Sequence, residues 1–258
     1  MKIERVLANN PGLFTGPGTN TWILDDGDGT VAIIDPGPID YRHESTLYDR
    51  IADRKVAGIL VTHTHSDHAP LANPIARNLG VGTLGFSRGP GFEPDTILAD
   101  AALVPVGHLE IEVVYTPGHS DDHLCFRVGN VLFTGDHIMG GSSVMVEKMA
   151  VYLDSLRKLQ GTGLKRLLPG HGREMDDPEQ VIDWYLAHRL QRHEQIVGSI
   201  ERGAATTMEV VEDVYSDVDE DLYPLAEMSV RAHLVLLSDE GRIALERDDI
   251  VLLPPQTQ

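Results

Sequence analysis

Apolar runs of four to six residues recur along the chain up to about Gly172, and four of them end in the same way. Ile59-Leu60-Val61-Thr62 leads into His63, and Val113-Val114-Tyr115-Thr116-Pro117-Gly118 leads into His119. Val131-Leu132-Phe133-Thr134-Gly135 leads into Asp136, and Leu167-Leu168-Pro169-Gly170 leads into His171. Runs this short, bounded by turn residues, predict buried strands. Glycine lets the backbone turn sharply after a strand and proline fixes φ there, so the next side chain projects from a strand end. Side chains at the ends of several buried strands can converge on one point while the sheets hold them rigid.

Between the strands lie helical segments such as Ala69–Leu79 and Glu147–Leu159, which suit two packed sheets with helices on their outer faces. Asp176-Asp177-Pro178 is a helix start signal, an N-cap aspartate before a proline in the first turn. From there the segments Pro178–Arg202, Thr207–Tyr215 and Tyr223–Asp239 read as helices. Gly241–Leu253 reads as a hairpin turning near Arg247-Asp248-Asp249. Three helices and a hairpin resemble a winged helix, which divides the chain into residues 1–176 and 177–258.

The chemistry starts at Thr62-His63-Thr64-His65-Ser66-Asp67-His68, with three histidines and an aspartate in six consecutive positions from His63. Imidazole and carboxylate form the ligand set of a hydrolytic transition-metal site, suiting zinc above the other common ions. With His119, Asp136 and His171 there are seven candidate ligands, too many for one tetrahedral zinc. Two metals account for them. His63 and His65 alternate on an extended backbone and join His119 around the first. Asp67 and His68 face the second, closed by His171, and the two carboxylate oxygens of Asp136 bridge the pair. A water between the metals would lose a proton near neutral pH and become the nucleophile.

These strings resemble a known family. Thr62–His68, Thr116-Pro117-Gly118-His119, Thr134-Gly135-Asp136 and Pro169-Gly170-His171-Gly172 look like the signature of the metallo-β-lactamase-fold hydrolases. Asn10–Thr21, Ser120–Phe126 and Ala187-His188-Arg189 narrow the resemblance to the branch named after beta-lactamase-like protein 2. That branch is similar to glyoxalase II and the RNase Z group in its metal ligands. The resemblance implies an α+β, four-layer αββα sandwich with a small C-terminal winged-helix-like domain. It implies the same partition of ligands over two Zn2+, with iron or manganese as alternatives, and gives Asp67 the further role of orienting the bridging hydroxide. Two departures exclude relatives. The redox flavodiiron members carry glutamate where this chain has His65, and the best-known zinc β-lactamases carry cysteine where it has Asp136. Destruction of β-lactams is therefore at most a side activity.

Composition narrows the substrate. A chain of 258 residues buries one full core plus a small appendage, and 41% apolar residues is ordinary for a globular protein. No apolar stretch approaches the roughly 20 residues needed to span a bilayer. Met1-Lys2-Ile3-Glu4-Arg5-Val6 lacks a signal-peptide hydrophobic region, so a cytoplasmic protein is expected. The single cysteine, Cys125, sits in the strand-like Leu124–Val128 and reads as a buried, inert thiol. Net charge is −19, with 40 acidic and 21 basic residues. Nucleic-acid binders show a basic patch or stripe, and here the densest cationic grouping is Arg189, Arg192 and His193. From Pro178 onward there are 17 acidic and 6 basic residues, so the winged helix reads as a packing and cleft-lining module with no DNA partner.

The expected activity is attack of a hydroxide on an electrophilic carbonyl or phosphorus, with the metals stabilising the developing charge. A small ester, lactone or thioester ranks first, because an acidic surface tolerates it. Single-stranded RNA, implied by animal members of the branch, is the alternative, and a metal-binding scaffold without turnover ranks below both. His123 is open between orienting a ligand, touching substrate and a plain structural role; with His137 or a metal-bound water it is a candidate leaving-group acid. His43, His108, His188 and His233 lie outside ligand-bearing turns and read as structural or surface residues. Gly80-Val81-Gly82-Thr83-Leu84-Gly85 matches a dinucleotide fingerprint in letters but follows a helix, the wrong context. Asn20 is a candidate for the cleft wall. The oligomeric state is open.

Overall fold

Strands apolar at nearly every position need cover on both faces, and sheets stacked on each other and on helices provide it. The computed structural model describes residues 1–141, 143–246 and 249–253. It divides into two compact units. One comprises Met1–Pro117, Asp121–Val144 and Gly161–Val181; the other comprises Gly118–Ser120, Met145–Gln160 and the chain from Ile182 on.

In the first unit, β1 (Lys2–Leu7), β2 (Asn20–Asp25), β3 (Thr30–Ile34), β4 (Lys55–Leu60), β5 (Thr83–Gly85) and β6 (Thr96–Ile97) form one sheet in that order. β1, β2 and β3 pair antiparallel, whereas β3 through β6 run parallel. The second sheet has the order β12-β11-β10-β9-β8-β7, built from β7 (Leu103–Val106), β8 (Leu109–Tyr115), β9 (Leu124–Val128), β10 (Val131–Gly135), β11 (Arg166–Pro169) and β12 (Met175–Asp176). Only β10 and β11 pair parallel in it. Alternate residues serve different layers, as the two-residue period of a strand requires. Trp22, Leu24, Ala32, Ile34 and Leu60 of the first sheet share one core with Ile111, Val113, Phe126, Phe133 and Leu168 of the second. Ile23, Val31, Ile33 and Ile59 point the other way, onto α1 (Tyr41–Ile51) and α2 (Ala72–Leu79).

The helix expected over Ala69–Leu79 starts three residues later, at Ala72. Ahead of it the chain turns, with His68 and Ala69 N–H groups both donating to the His65 carbonyl at 3.1 and 3.2 Å. The apolar pattern does not mark α1. Its buried residues are only His43, Leu47 and Ile51, and its start is set by the Asp40 carboxylate accepting from the Arg42 and His43 amides.

The second unit holds α3 (Met149–Leu159), most of α4 (Pro178–Glu201), α5 (Thr207–Val214), α6 (Tyr223–Asp239) and the hairpin β13 (Ile243–Glu246) and β14 (Asp249–Leu252). α4, α5 and α6 match the expected segments to within a residue. Thr206 and Glu209 close a capping box at the start of α5. Ile196, Val210, Val211, Val230, Leu234, Leu237, Ile243 and Ile250 make a core of their own. Of the expected hairpin turn, Arg247 and Asp248 lie outside the described residues; the strands beside them pair from Ile243 with Leu252 to Glu246 with Asp249. Among the described residues no helix is long and apolar enough to cross a membrane.

Phe133 is fully buried between the sheets, edge-on to Trp22 with ring centroids 6.1 Å apart. Phe133→Ala is expected to cost about 3–5 kcal/mol, read as a drop in the urea midpoint at unchanged slope; a loss under about 1 kcal/mol would contradict the packing described.

Candidate metal centre

Parallel pairing puts the C-terminal ends of β3 and β4 side by side, and likewise those of β10 and β11. β3 delivers Asp35, β4 delivers His63 to His68, β10 delivers Asp136 and β11 delivers His171. Two glycines make the approach close enough. At Gly135 (φ +47) a Cβ would lie 2.7 Å from His123 Nε2 and 2.8 Å from Thr62 Oγ1. At Gly170 it would lie 2.5 Å from Asp136 Oδ1 and 2.6 Å from His68 Cε1. A side chain at either place would push a site residue away.

Six of the seven expected ligands come together in the first unit. His68, His63, His171 and Asp136 are buried, and Asp67 is mostly so. His63 Nε2 lies 2.9 Å from His65 Nδ1. His68 Nε2 lies 3.2 Å from His171 Nε2, 3.4 Å from Asp136 Oδ1 and 3.5 Å from Asp67 Oδ2. His171 Nε2 is 3.1 Å from Asp67 Oδ2 and 3.3 Å from Asp136 Oδ2. His63, His68 and Asp136 offer one ligand atom each within 4.8 Å of one another, and so do Asp67, His68 and His171. The seventh, His119, belongs to the second unit, on a three-residue excursion between Pro117 and Asp121.

The partners behind the rings decide which nitrogen faces forward. His68 Nδ1 donates to Asp35 Oδ2 at 2.9 Å, His171 Nδ1 to the Gly18 carbonyl at 3.2 Å and His119 Nδ1 to the Met145 carbonyl at 2.7 Å. In each case the acceptor takes the Nδ1 proton and leaves Nε2 free of it, the nitrogen that could bind a metal. His123 is turned the other way. Its Nε2 accepts the Asp136 N–H at 3.1 Å, so Nδ1 carries the proton toward Thr116 Oγ1 at 3.0 Å. Fully buried, His123 supports the Asp136 backbone.

The charges are tightly matched. Burial alone would raise Asp67, but the charge of His68 and the hydrogen bond from His171 hold its carboxyl down at about 2. Burial opposes the charge on Asp136 too, and His68 and His171 overcome it, so its pKa lies well below the usual carboxylate range. Burial would lower His171, yet hydrogen bonds to Asp136 and Asp67 raise it to about 9. Against the same penalty Asp136, Asp35 and Asp67 raise His68 well above the ordinary imidazole value. Carboxylates held ionised, imidazole Nε2 atoms converging on them and Nδ1 atoms pinned from behind fit a divalent cation of the zinc class, which would take the place of the Nε2 protons.

Several contributors escape a reading of the sequence. Asp35 accepts from Thr62 N–H and Thr62 Oγ1, both at 2.7 Å, as well as from His68. A signal is present: Thr30–Ile34 followed by Asp35-Pro36-Gly37 is another strand leading into a carboxylate and a turn. Asp122 Oδ2 accepts the Thr64 N–H at 2.9 Å, fixing the loop between His63 and His65. Asn20 is not a wall residue. It is fully buried, and its Nδ2 donates to the carbonyls of Pro169 and Gly172, both at 2.9 Å, on either side of His171. His43 is structural, 2.8 Å from Thr21 Oγ1. Gly80 ends α2 and leads to β5, a helix-to-strand order that no dinucleotide loop has.

Comparison with known proteins agrees with this geometry. The model of the metallo-beta-lactamase superfamily matches residues 14–88 and 79–171, and that of the beta-lactamase associated winged helix domain matches residues 206–250. The chain is 32% identical to the beta-lactamase-like protein 2 homolog of Drosophila melanogaster, over 95% of this chain and 90% of the relative. It is 29% identical to an atrochrysone carboxyl ACP thioesterase of Aspergillus fumigatus, over 86% and 76% respectively. In fold it is similar to a metallo-beta-lactamase family protein from Thermus thermophilus, with TM-score 0.80, 21% identity and coverage of 97% and 98%.

Metal loading is expected to be coupled to proton loss. With His171 titrating near 9, its Nε2 is protonated at neutral pH and must lose that proton to a metal. Calorimetric titration of the metal-free protein in buffers of different ionisation enthalpy is expected to show proton release, with affinity climbing from about neutral pH to about 9; an affinity flat over that range would contradict the charge pairing. Asp35→Asn withdraws the ionised acceptor from His68 Nδ1 and is expected to weaken metal binding about 10–100-fold, measured by chelator competition.

Proposed function

The chain belongs to the metallo-beta-lactamase superfamily, and from that premise we propose that it is a dinuclear-metal hydrolase of small acyl compounds, a thioester foremost, with esters and lactones beside it. The observation that carries the proposal is the buried meeting of Asp67, His68, Asp136 and His171 within 3.1–3.5 Å, backed by relatives named as acyl-carrier thioesterases. In this reading His63, His65 and His119 would hold one Zn2+, Asp67, His68 and His171 would hold the other, and Asp136 would serve both. When bound, the two ions supply Lewis acidity at the acyl oxygen and lower the pKa of the attacking water.

The protein's own groups do the rest. Asp67, ionised down to about pH 2, accepts a hydrogen bond from the attacking water and so aims it. Asp35, by holding the Nδ1 proton of His68, keeps that ring's Nε2 turned inward. His123 keeps the Asp136 backbone in place, and the two bonds on its ring make it a positioning residue in the proposal. Residues 1–176 form the catalytic domain and 177–258 the winged-helix domain, in a cytoplasmic enzyme. A charge of −19 sets the acyl substrate ahead of single-stranded RNA, since phosphate neutralisation by cations supplies most RNA affinity.

One purified preparation assayed against thioesters, lactones, phosphodiesters, short RNA and a β-lactam tests the substrate class; thioester turnover is expected, and cleavage of RNA alone would overturn it. Elemental analysis after metal loading should give about two ions per chain, and a reproducible value below one would sink the dinuclear site. Asp136→Ala is expected to lower kcat by about a thousandfold or more together with metal content, and full activity in that variant would refute the bridging role.

A further inference from the structure

A buried guanidinium in the second unit has no part in the chemistry above. Arg189, on α4, is 2% exposed, and its Cζ lies 5.6 Å from the centroid of the Tyr152 ring on α3. Tyr152 is fully buried. Its backbone and Cβ press on Gly118 so closely that a Cβ there would lie 2.5 Å from Tyr152 Cα. The segment leading into α3 grips the same turn. Glu147 and Lys148 N–H groups donate to the Gly118 carbonyl at 2.8 and 3.0 Å, and the Met145 carbonyl accepts from His119 Nδ1 at 2.7 Å.

Residues 145–152 thus give Gly118 and His119 three hydrogen bonds and one close contact. Any slip or rotation of α3 moves the His119 ring. What packs against the Tyr152 ring therefore bears on His119. A desolvated cation over an aromatic face is oriented by the ring quadrupole and resists lateral displacement, which an apolar side chain of equal volume does not. An apolar residue would also spare the cost of desolvating a charge, so packing alone does not call for arginine here.

We infer that Arg189 is a positioning residue for the metal centre, setting the orientation of His119 through Tyr152 and the Gly118 turn. The inference rests on the dinuclear reading only in naming His119 a ligand.

The test compares the full-length wild type with Arg189→Met, which keeps volume and removes charge, and Arg189→Lys, which keeps a cation without the planar fork. Three quantities are read: the ¹⁵N resonances of the His119 ring in metal-free protein, Co2+ affinity with its visible spectrum, and the urea midpoint. Arg189→Met is expected to displace the His119 resonances, weaken one of two Co2+ equivalents roughly five- to fiftyfold and alter its absorption, with the urea midpoint close to wild type. Arg189→Lys is expected to show smaller changes of the same kind. Wild-type resonances, spectrum and affinity in Arg189→Met would overturn the inference, as would His119 shifts no larger than those at buried histidines remote from the turn, such as His43. Where Arg189→Met fails to fold, Arg189→Lys decides in the same way. Should the wild type take up fewer than two Co2+, the dinuclear reading falls, while the His119 resonances of the metal-free protein still decide the role of Arg189.

Discussion

The site depends first on one buried carboxylate. Asp35 follows β3 with φ +51, a conformation a non-glycine residue adopts at a cost of order 1–3 kcal/mol, although aspartate tolerates it better than most. Three hydrogen bonds at 2.7–2.9 Å reach its two oxygens, from the Thr62 amide, the Thr62 hydroxyl and His68 Nδ1. Bonds to a charged group contribute about 1.5–3 kcal/mol each, so the strain is outweighed. Through this one residue the ends of β3 and β4 are locked together, and His68 is aimed from behind.

The remaining ligands repeat that logic with weaker acceptors. A backbone carbonyl holds His171 at Nδ1 and another holds His119, while His123 inverts the arrangement to hold a backbone amide at Asp136. Orientation thus comes from the protein frame. The charges in front of the rings are a separate matter. Two carboxylates held ionised and two imidazoles raised above their ordinary value sit within a few ångströms of each other, out of water, where an uncompensated charge would be costly. Protons balance that cluster in the protein alone. Divalent cations would balance it through the same atoms.

The sequence shows the candidate ligands and hides most of what aims them, for a physical reason. A strand followed by Gly or Pro and a ligand is a local pattern, and it marks His119, Asp136 and His171 without any knowledge of the fold, as the apolar run before Thr62 marks His63. Asp35 meets His68 only because β3 and β4 lie side by side, 33 residues apart in the chain. Asn20 meets Pro169 across 149 residues. Such pairings are decided by topology, which no local spacing encodes. The late start of α2 has the same origin, since the turn that delivers Asp67 and His68 uses the residues a helix would otherwise claim. His123 stays open among three roles in the sequence because its nitrogens are assigned by partners at Thr116 and Asp136, not by its place in the chain.

Charge and architecture together limit what the winged-helix unit can be for. It has its own apolar core, a capped α5 and 17 acidic against 6 basic residues from Pro178 on, a balance that works against phosphate backbones. A module of this charge has a use if its interior holds something the chemistry needs. Here it holds Gly118–Ser120, taken out of a chain that otherwise belongs to the first unit on both sides. A ligand turn packed on α3 is set by the packing of that helix, and the helix in turn carries Tyr152 beneath the buried Arg189. Substitutions far from His119 in sequence, but packed against α3 in this unit, are therefore expected to act on the orientation of His119 through geometry.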